Sequence, residues 1–223
     1  MTTIAFSPQS QSDSLNFIQP KIESMIDDLV ASLPDPKQLT SDERRGIIAR
    51  YSVVLEGNFI YWMTAAYLSV QAEEARPLLL DNLHEEVRDA HPEMLRRFTV
   101  AAHALPTDSD AVVVHEDMKN VRLFLGRLSG VQSVMTMAFF EGFIQKFMGY
   151  LADLAAAQGS VDMEYTDVHG VCDIAHTQGL FQALSAEMAI NPLDPEADPF
   201  EGAYLLRTLL QTIIFGRANT LAA

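Results

Sequence analysis

The sequence predicts an all-α bundle of seven or eight helices, and three observations carry that expectation. Apolar residues recur at helical spacing through nearly every periodic stretch, and no alternating strand pattern runs to a useful length. Loop punctuation (Pro34-Asp35-Pro36, Pro106 to Asp110, Gly159-Ser160) falls between those stretches. At 223 residues and 48% hydrophobic, the chain has material for one large core, so residues 1–223 are expected to form a single domain with 1–14 as a flexible lead.

Each element follows from its own signals. A first helix is expected over 15–33, ended by Pro34-Asp35-Pro36. Thr40, Ser41 and Asp42 supply an N-cap for a long helix reaching about residue 71, rich in Ile, Val, Phe, Tyr and Trp. Helices over 73–89 and 92–104 follow, then a loop from Pro106 to Asp110 and a helix over 112–128. Gly130 separates that helix from a long apolar one over 131–158, and Gly159-Ser160 turns the chain into another over 163–188. A loop over 191–199, with three prolines, precedes a final helix ending near residue 218.

Charge narrows the function. Fifteen Lys and Arg stand against 30 Asp and Glu, a net charge of −15, which repels phosphate backbones and anionic lipid. Neither nucleic acid nor membrane is expected as a partner. One cysteine excludes an internal disulfide, the N-terminal stretch lacks the pattern of a secretory signal, and no apolar run reaches the ~20 residues of a membrane span. The expected location is the cytoplasm.

The most informative run is His169-Gly170-Val171-Cys172-Asp173-Ile174-Ala175-His176. His169, Asp173 and His176 stand at i, i+4 and i+7, which at about 100° per residue puts them within ~40° of one another on a helix. Imidazole nitrogen with carboxylate oxygen is a ligand set for iron, manganese or zinc. The stripe is otherwise small and apolar, so these groups are expected to be buried, and burying them unpaired costs several kcal/mol. Helix bundles build metal sites from inward side chains on facing helices. Glu141, in the run from Met135 to Ile144 that holds no other charge, and Glu56, in the run from Ser52 to Ile60, each offer a carboxylate beside a glycine in an otherwise hydrophobic helix. The stretch from Asp81 to His91 adds Glu85, Glu86, His84 and His91. Pro92 pushes His91 off helical dihedrals and suits the first residue of a new helix.

These residues resemble the heme-oxygenase-like diiron oxidases and oxygenases, iron-containing redox enzymes with a seven-helix fold and no heme. The family's late His-x3-Asp-x2-His motif is matched by His169, Asp173 and His176. Asn82-Leu83-x-Glu85-Glu86 followed by His91 resembles its second-helix motif, which transfers a ligand role to Glu86 and His91. The spacer to His91 is short, so Glu85 and His84 stay open as alternatives to Glu86. The central-helix glutamate transfers to Glu141 and the first-helix glutamate to Glu56. The resemblance spans roughly residues 50–188. The ferritin-type Glu-x-x-His pair is absent.

The resemblance implies two Fe(II) ions, O2 as co-substrate and a peroxo-diferric species. It also implies a small amino-acid-, amine- or fatty-acid-like substrate undergoing N-oxygenation, C–C cleavage or decarboxylation. An external electron donor and a homodimer are compatible with it. Tyr165, one turn before His169, is the candidate catalytic phenol, with a core tyrosine as the plainer reading. Cys172 points off the ligand face and reads as core packing. His103 and His115 read as surface or capping residues. Arg88, Arg122, Arg127 and Lys146 are the cations available to hold a substrate carboxylate. Two readings compete: a metal-free enzyme of the same architecture, resembling pyrroloquinoline quinone synthase or the thiaminase-like hydrolases, and a non-catalytic helical interaction protein. The last predicts that Glu56, Glu141 and Asp173 each find an Arg or Lys.

Overall fold

A computed structural model describes residues 8–216, with side chains from residue 17 onward. The described residues contain nine helices and no strand: α1 (Pro8–Ala31), α2 (Ser41–Leu55), α3 (Asn58–Ser69), α4 (Ala75–Arg88), α5 (His91–Ala101), α6 (Asp108–Leu125), α7 (Gly130–Ala157), α8 (Glu164–Ile190) and α9 (Glu201–Phe215). This all-helical architecture is consistent with a heme-oxygenase-like bundle. None of these helices is long and apolar enough to cross a membrane.

Helix α7 is the axis of the core. Every residue from Gly130 to Ile144 is buried, as a helix that is hydrophobic on all faces must be. Its most extensive packing is against α8, and α1, α2, α3 and α9 close the remaining sides. Thr40 and Glu43 form a reciprocal capping box that starts α2. Thr107 and Asp110 form another, so the expected loop from Pro106 to Asp110 is instead a helix start. Arg45 then clamps Asp110 with two hydrogen bonds at 2.8 and 3.1 Å, joining α2 to α6.

Three boundaries depart from expectation in ways that bear on the site. Helix α1 begins at Pro8 rather than near residue 15, and residues 1–7 of the segment read as flexible lie outside the described residues. The single helix expected from residue 41 to about 71 is two, because Gly57 adopts a left-handed φ of 83° and turns the chain between α2 and α3. That break raises the helix number above the expected seven or eight. Finally, α5 begins at His91 with Pro92 in its first turn, and the non-helical residue is Ala90, left-handed at φ 56°. A non-glycine residue there costs on the order of 1 kcal/mol, and the turn it makes swings His91 back toward the end of α4.

Candidate metal centre

Four helices contribute to one buried polar cluster. On α4, Asn82 and Glu86 stand at i and i+4 and face inward. At the start of α5, His91 Nδ1 donates to Glu86 Oε1 at 2.9 Å. On α8, His169 Nε2 lies 3.7 Å from the same oxygen, and the two imidazole rings meet at 4.5 Å between centroids. His169 Nδ1 donates to the Tyr165 carbonyl at 2.8 Å, which orients the ring so that Nε2 faces the cluster. Glu86, His91 and His169 are all buried, and their ligand atoms lie within 4.8 Å of one another.

Glu141 of α7 and Asp173 and His176 of α8 make the other half. His176 Nδ1 lies 3.6 Å from Asp173 Oδ1 and 3.9 Å from Glu141 Oε2, while its Nε2 donates to Glu85 Oε2 at 2.9 Å. Asn82 Nδ2 donates to Glu141 Oε1 at 2.9 Å. Asp173 is 2% exposed, and its Oδ2 is buried with no hydrogen-bond partner. Gly142, next to Glu141, lets α1 come close: a Cβ there would meet Ile26 at 2.8 Å.

Electrostatics separate the halves. Burial works to raise the Glu86 pKa, but hydrogen bonding to His169 and His91 holds it below the ordinary carboxylate value. Burial pushes the Glu141 carboxyl well above its ordinary value, and the charge of Asp173 pushes the same way. His169 and His176 are both raised although burial works to lower them, because acidic groups face them; His176 is pushed up to about 9. Among the described residues no Arg or Lys pairs with Glu86, Glu141 or Asp173; their ionic contacts are to histidines alone. Buried carboxylates without Arg or Lys partners, an orphaned carboxylate oxygen and three imidazoles facing those carboxylates fit divalent iron in chemistry and arrangement.

The structure therefore brings together six of the seven expected ligands: Glu86, His91, Glu141, His169, Asp173 and His176. Glu56 is a correction. It is the C-cap residue of α2, its side chain is 41% exposed, and its carboxylate pairs with Arg96 of α5. The left-handed turn at Gly57 ends the helix there, so the apolar face expected around Glu56 does not exist. His84 is exposed, and Glu85 touches the cluster only through His176. Tyr165 is buried with its ring against His169 at 4.2 Å, but its hydroxyl meets Tyr51 at 2.8 Å. Cys172 is a second correction: its Sγ lies 3.3 Å from Asp173 Oδ1, beside the ligands rather than off their face. His103 and His115 are exposed, as expected.

Two spaces adjoin the cluster. A cavity of about 30 Å³ lies against Glu86, His91, Glu141, His169 and Asp173, with Phe59, Leu95 and Phe140 among its apolar walls. An open cleft of about 710 Å³ between α4 and α8 reaches Cys172 and His176 from outside. The cations expected to hold a substrate carboxylate are all engaged elsewhere: Arg88 with Asp89, Arg122 with Asn58, Arg127 with Glu201 and Lys146 with Asp27.

Sequence reasoning gave Tyr51 no part, named Asn82 only as a letter of the second-helix motif, and held Glu85 open as an alternative ligand rather than as the partner of His176. Asn82 was detectable in principle, since it precedes Glu86 by one turn on the same face.

No curated protein and no solved structure gives a significant match to the chain. A family profile described as iron-containing redox enzyme matches residues 48–206, a span that holds the entire cluster. With that match over most of its length, the chain belongs to the iron-containing redox enzyme family.

Proposed function

We propose that this protein is a non-heme oxidoreductase that holds two iron ions in the α4–α5–α7–α8 cluster and uses O2 to oxidise a small amine-bearing molecule. The observation that carries this reading is the pairing of a Glu86–His91–His169 triad with Glu141, Asp173 and His176, whose carboxylates have no Arg or Lys partner among the described residues. A non-catalytic interaction protein would have no reason to keep an orphaned carboxylate oxygen in its core.

Glu86, His91 and His169 would hold one ion; Glu141, Asp173 and His176 would hold the other. Bound iron supplies the capacity to reduce O2 in single-electron steps, which no side chain here has. The protein's own work is placement. The Tyr165 carbonyl orients His169, Asn82 orients Glu141, and Phe59, Leu95 and Phe140 form the apolar wall of the inner cavity. At about 30 Å³ that cavity has room for a molecule the size of water or O2 and for no organic substrate. The α4–α8 cleft is the space of substrate size. Asp81 and Glu85 are its charged lining residues, with His84 and His176 beside them and Leu78, Leu80 and Val171 as apolar wall. Such a lining favours a cationic amine over a fatty-acid carboxylate.

The test is anaerobic Fe(II) titration of metal-free protein followed by exposure to O2. Two ions bound per chain and O2 consumption accelerated by amines are the expected result. Failure to bind iron, or O2 uptake indifferent to every amine and amino acid offered, overturns it.

A further inference from the structure

Cys172 is the chain's single cysteine, and it is half-buried where the α4–α8 cleft meets the cluster. It precedes His176 by four residues, so the two side chains share a side of α8. Its Sγ is 3.3 Å from Asp173 Oδ1, and the same oxygen is 3.6 Å from His176 Nδ1. The ligand atoms of Cys172, Asp173 and His176 all lie within 4.8 Å of one another. Independently of the cysteine, Asp173 is almost wholly buried with Oδ2 unpartnered, so this carboxylate has an unmet demand for a cation. The cleft gives a hydrated ion a way in from solvent.

We propose that Cys172 is a thiolate ligand of the Asp173–His176 position, so that one of the two metal positions binds through sulfur, nitrogen and oxygen while the other binds through nitrogen and oxygen alone. The inference rests on the metal-binding reading above and adds sulfur to it. In the metal-free protein the thiol keeps its proton, because burial and the charge of Asp173 both disfavour a thiolate. Metal entry replaces the S–H bond with a metal–sulfur bond and releases one proton to solvent, with no change in oxidation state. A soft sulfur ligand biases this position toward Zn(II), Co(II) and Fe(II) over Mg(II) or Mn(II). It also makes the two positions chemically unequal.

The experiment is anaerobic titration of the metal-free full chain with Co(II), read by absorbance. Wild type is expected to develop visible d–d bands together with a near-ultraviolet sulfur-to-cobalt charge-transfer band. Cys172→Ser is expected to lose the near-ultraviolet band and about tenfold or more in affinity at one position, while cobalt at the other persists. X-ray absorption of cobalt-loaded wild type should show a sulfur scatterer at about 2.3 Å, which decides the question even if the variant does not fold. Visible bands without the charge-transfer band, or a shell of nitrogen and oxygen only, overturn the thiolate and leave the metal centre standing. No cobalt uptake at all overturns both.

Discussion

The two halves of the buried cluster meet the same electrostatic problem in different ways. In the Glu86 half, one carboxylate lies between two imidazoles, and the group compensates itself: His91 donates to Glu86, and His169 faces it. In the Glu141 half, two carboxylates face one imidazole and one amide, and Asp173 Oδ2 is left without a partner. The first half is organised before any metal arrives. The second leaves a buried carboxylate oxygen unpartnered. On the proposed two-ion reading, the first position would be rigid and the second would depend on loading, and that contrast can be broken by experiment.

The largest effect expected is that of iron itself. A ligand that binds only the folded state at a hundred times its Kd stabilises by about 2.7 kcal/mol, which for a chain of this size is roughly 5–10 °C in melting temperature. Anaerobic Fe(II) should raise the melting temperature by that order, and a chelator should reverse it. No shift would mean that neither half needs a metal.

Next come substitutions that should act in opposite directions on the metal-free protein. Glu86→Gln removes the charge that both imidazoles use and should lower stability by about 1–3 kcal/mol. Glu141→Gln keeps the shape of a carboxyl that burial already favours in its neutral form, so metal-free stability should hold or rise. Both variants should lose one iron per chain. Denaturant midpoints and bound-metal analysis check the pair; equal destabilisation by both would erase the difference between the halves.

The halves should also differ in their response to pH: raised imidazoles make both weaken as pH rises, but only the Glu86 half holds a lowered carboxylate that weakens on acidification. Burial works to lower the His176 pKa, yet the carboxylates of Asp173, Glu141 and Glu85 push it up to about 9, above its ordinary 6.5. A raised folded-state value means that the stabilisation is complete below 6.5 and is lost as pH rises through about 9. Glu141 is raised from 4.5, so its contribution too is lost as pH rises. Glu86 is lowered, so its contribution is present above 4.5 and is lost on acidification. The melting temperature of metal-free protein should therefore fall between pH 6.5 and 9. Iron should flatten that fall, because metal replaces the His176 proton and binds more tightly as pH rises. A metal-free melting temperature constant across the interval would remove His176 from the account.

How much of this was legible follows from which signals are local. The α7 axis and the inward stripe of α8 were readable because helical periodicity needs only the neighbouring turns. The α2–α3 break was not, because apolar residues run through Glu56-Gly57 without a change of pattern and the left-handed φ of Gly57 leaves no mark on that pattern. Glu56 was misplaced for that reason alone. Cys172 was misplaced because a wheel records the direction of Cβ, whereas the reach of the sulfur and the position of His176 one turn on bring it to Asp173. Glu187 lay beyond any local signal: this wholly buried carboxylate accepts from the backbone amides of Gln71 and Ala72, more than a hundred residues away in sequence.

The smallest effect concerns how the preorganised half is aimed. Ala90 sits at φ 56° with its side chain exposed, so nothing but the backbone holds it there. The strain turns the chain sharply enough that His91, the next residue, reaches Glu86 at 2.9 Å while Pro92 starts α5. Glycine adopts this conformation without the Cβ clash, at some cost in unfolded-state entropy, so Ala90→Gly should stabilise the metal-free protein by about 0.5–1 kcal/mol. Because the turn is kept, iron stoichiometry should not change. Ala90→Val should act in the reverse sense, since a branched side chain resists the left-handed region more strongly, and it should loosen the His91 position first. Chemical denaturation with iron titration on both variants checks this. Stabilisation by valine, or loss of iron with glycine, would show that His91 is aimed by something other than this turn.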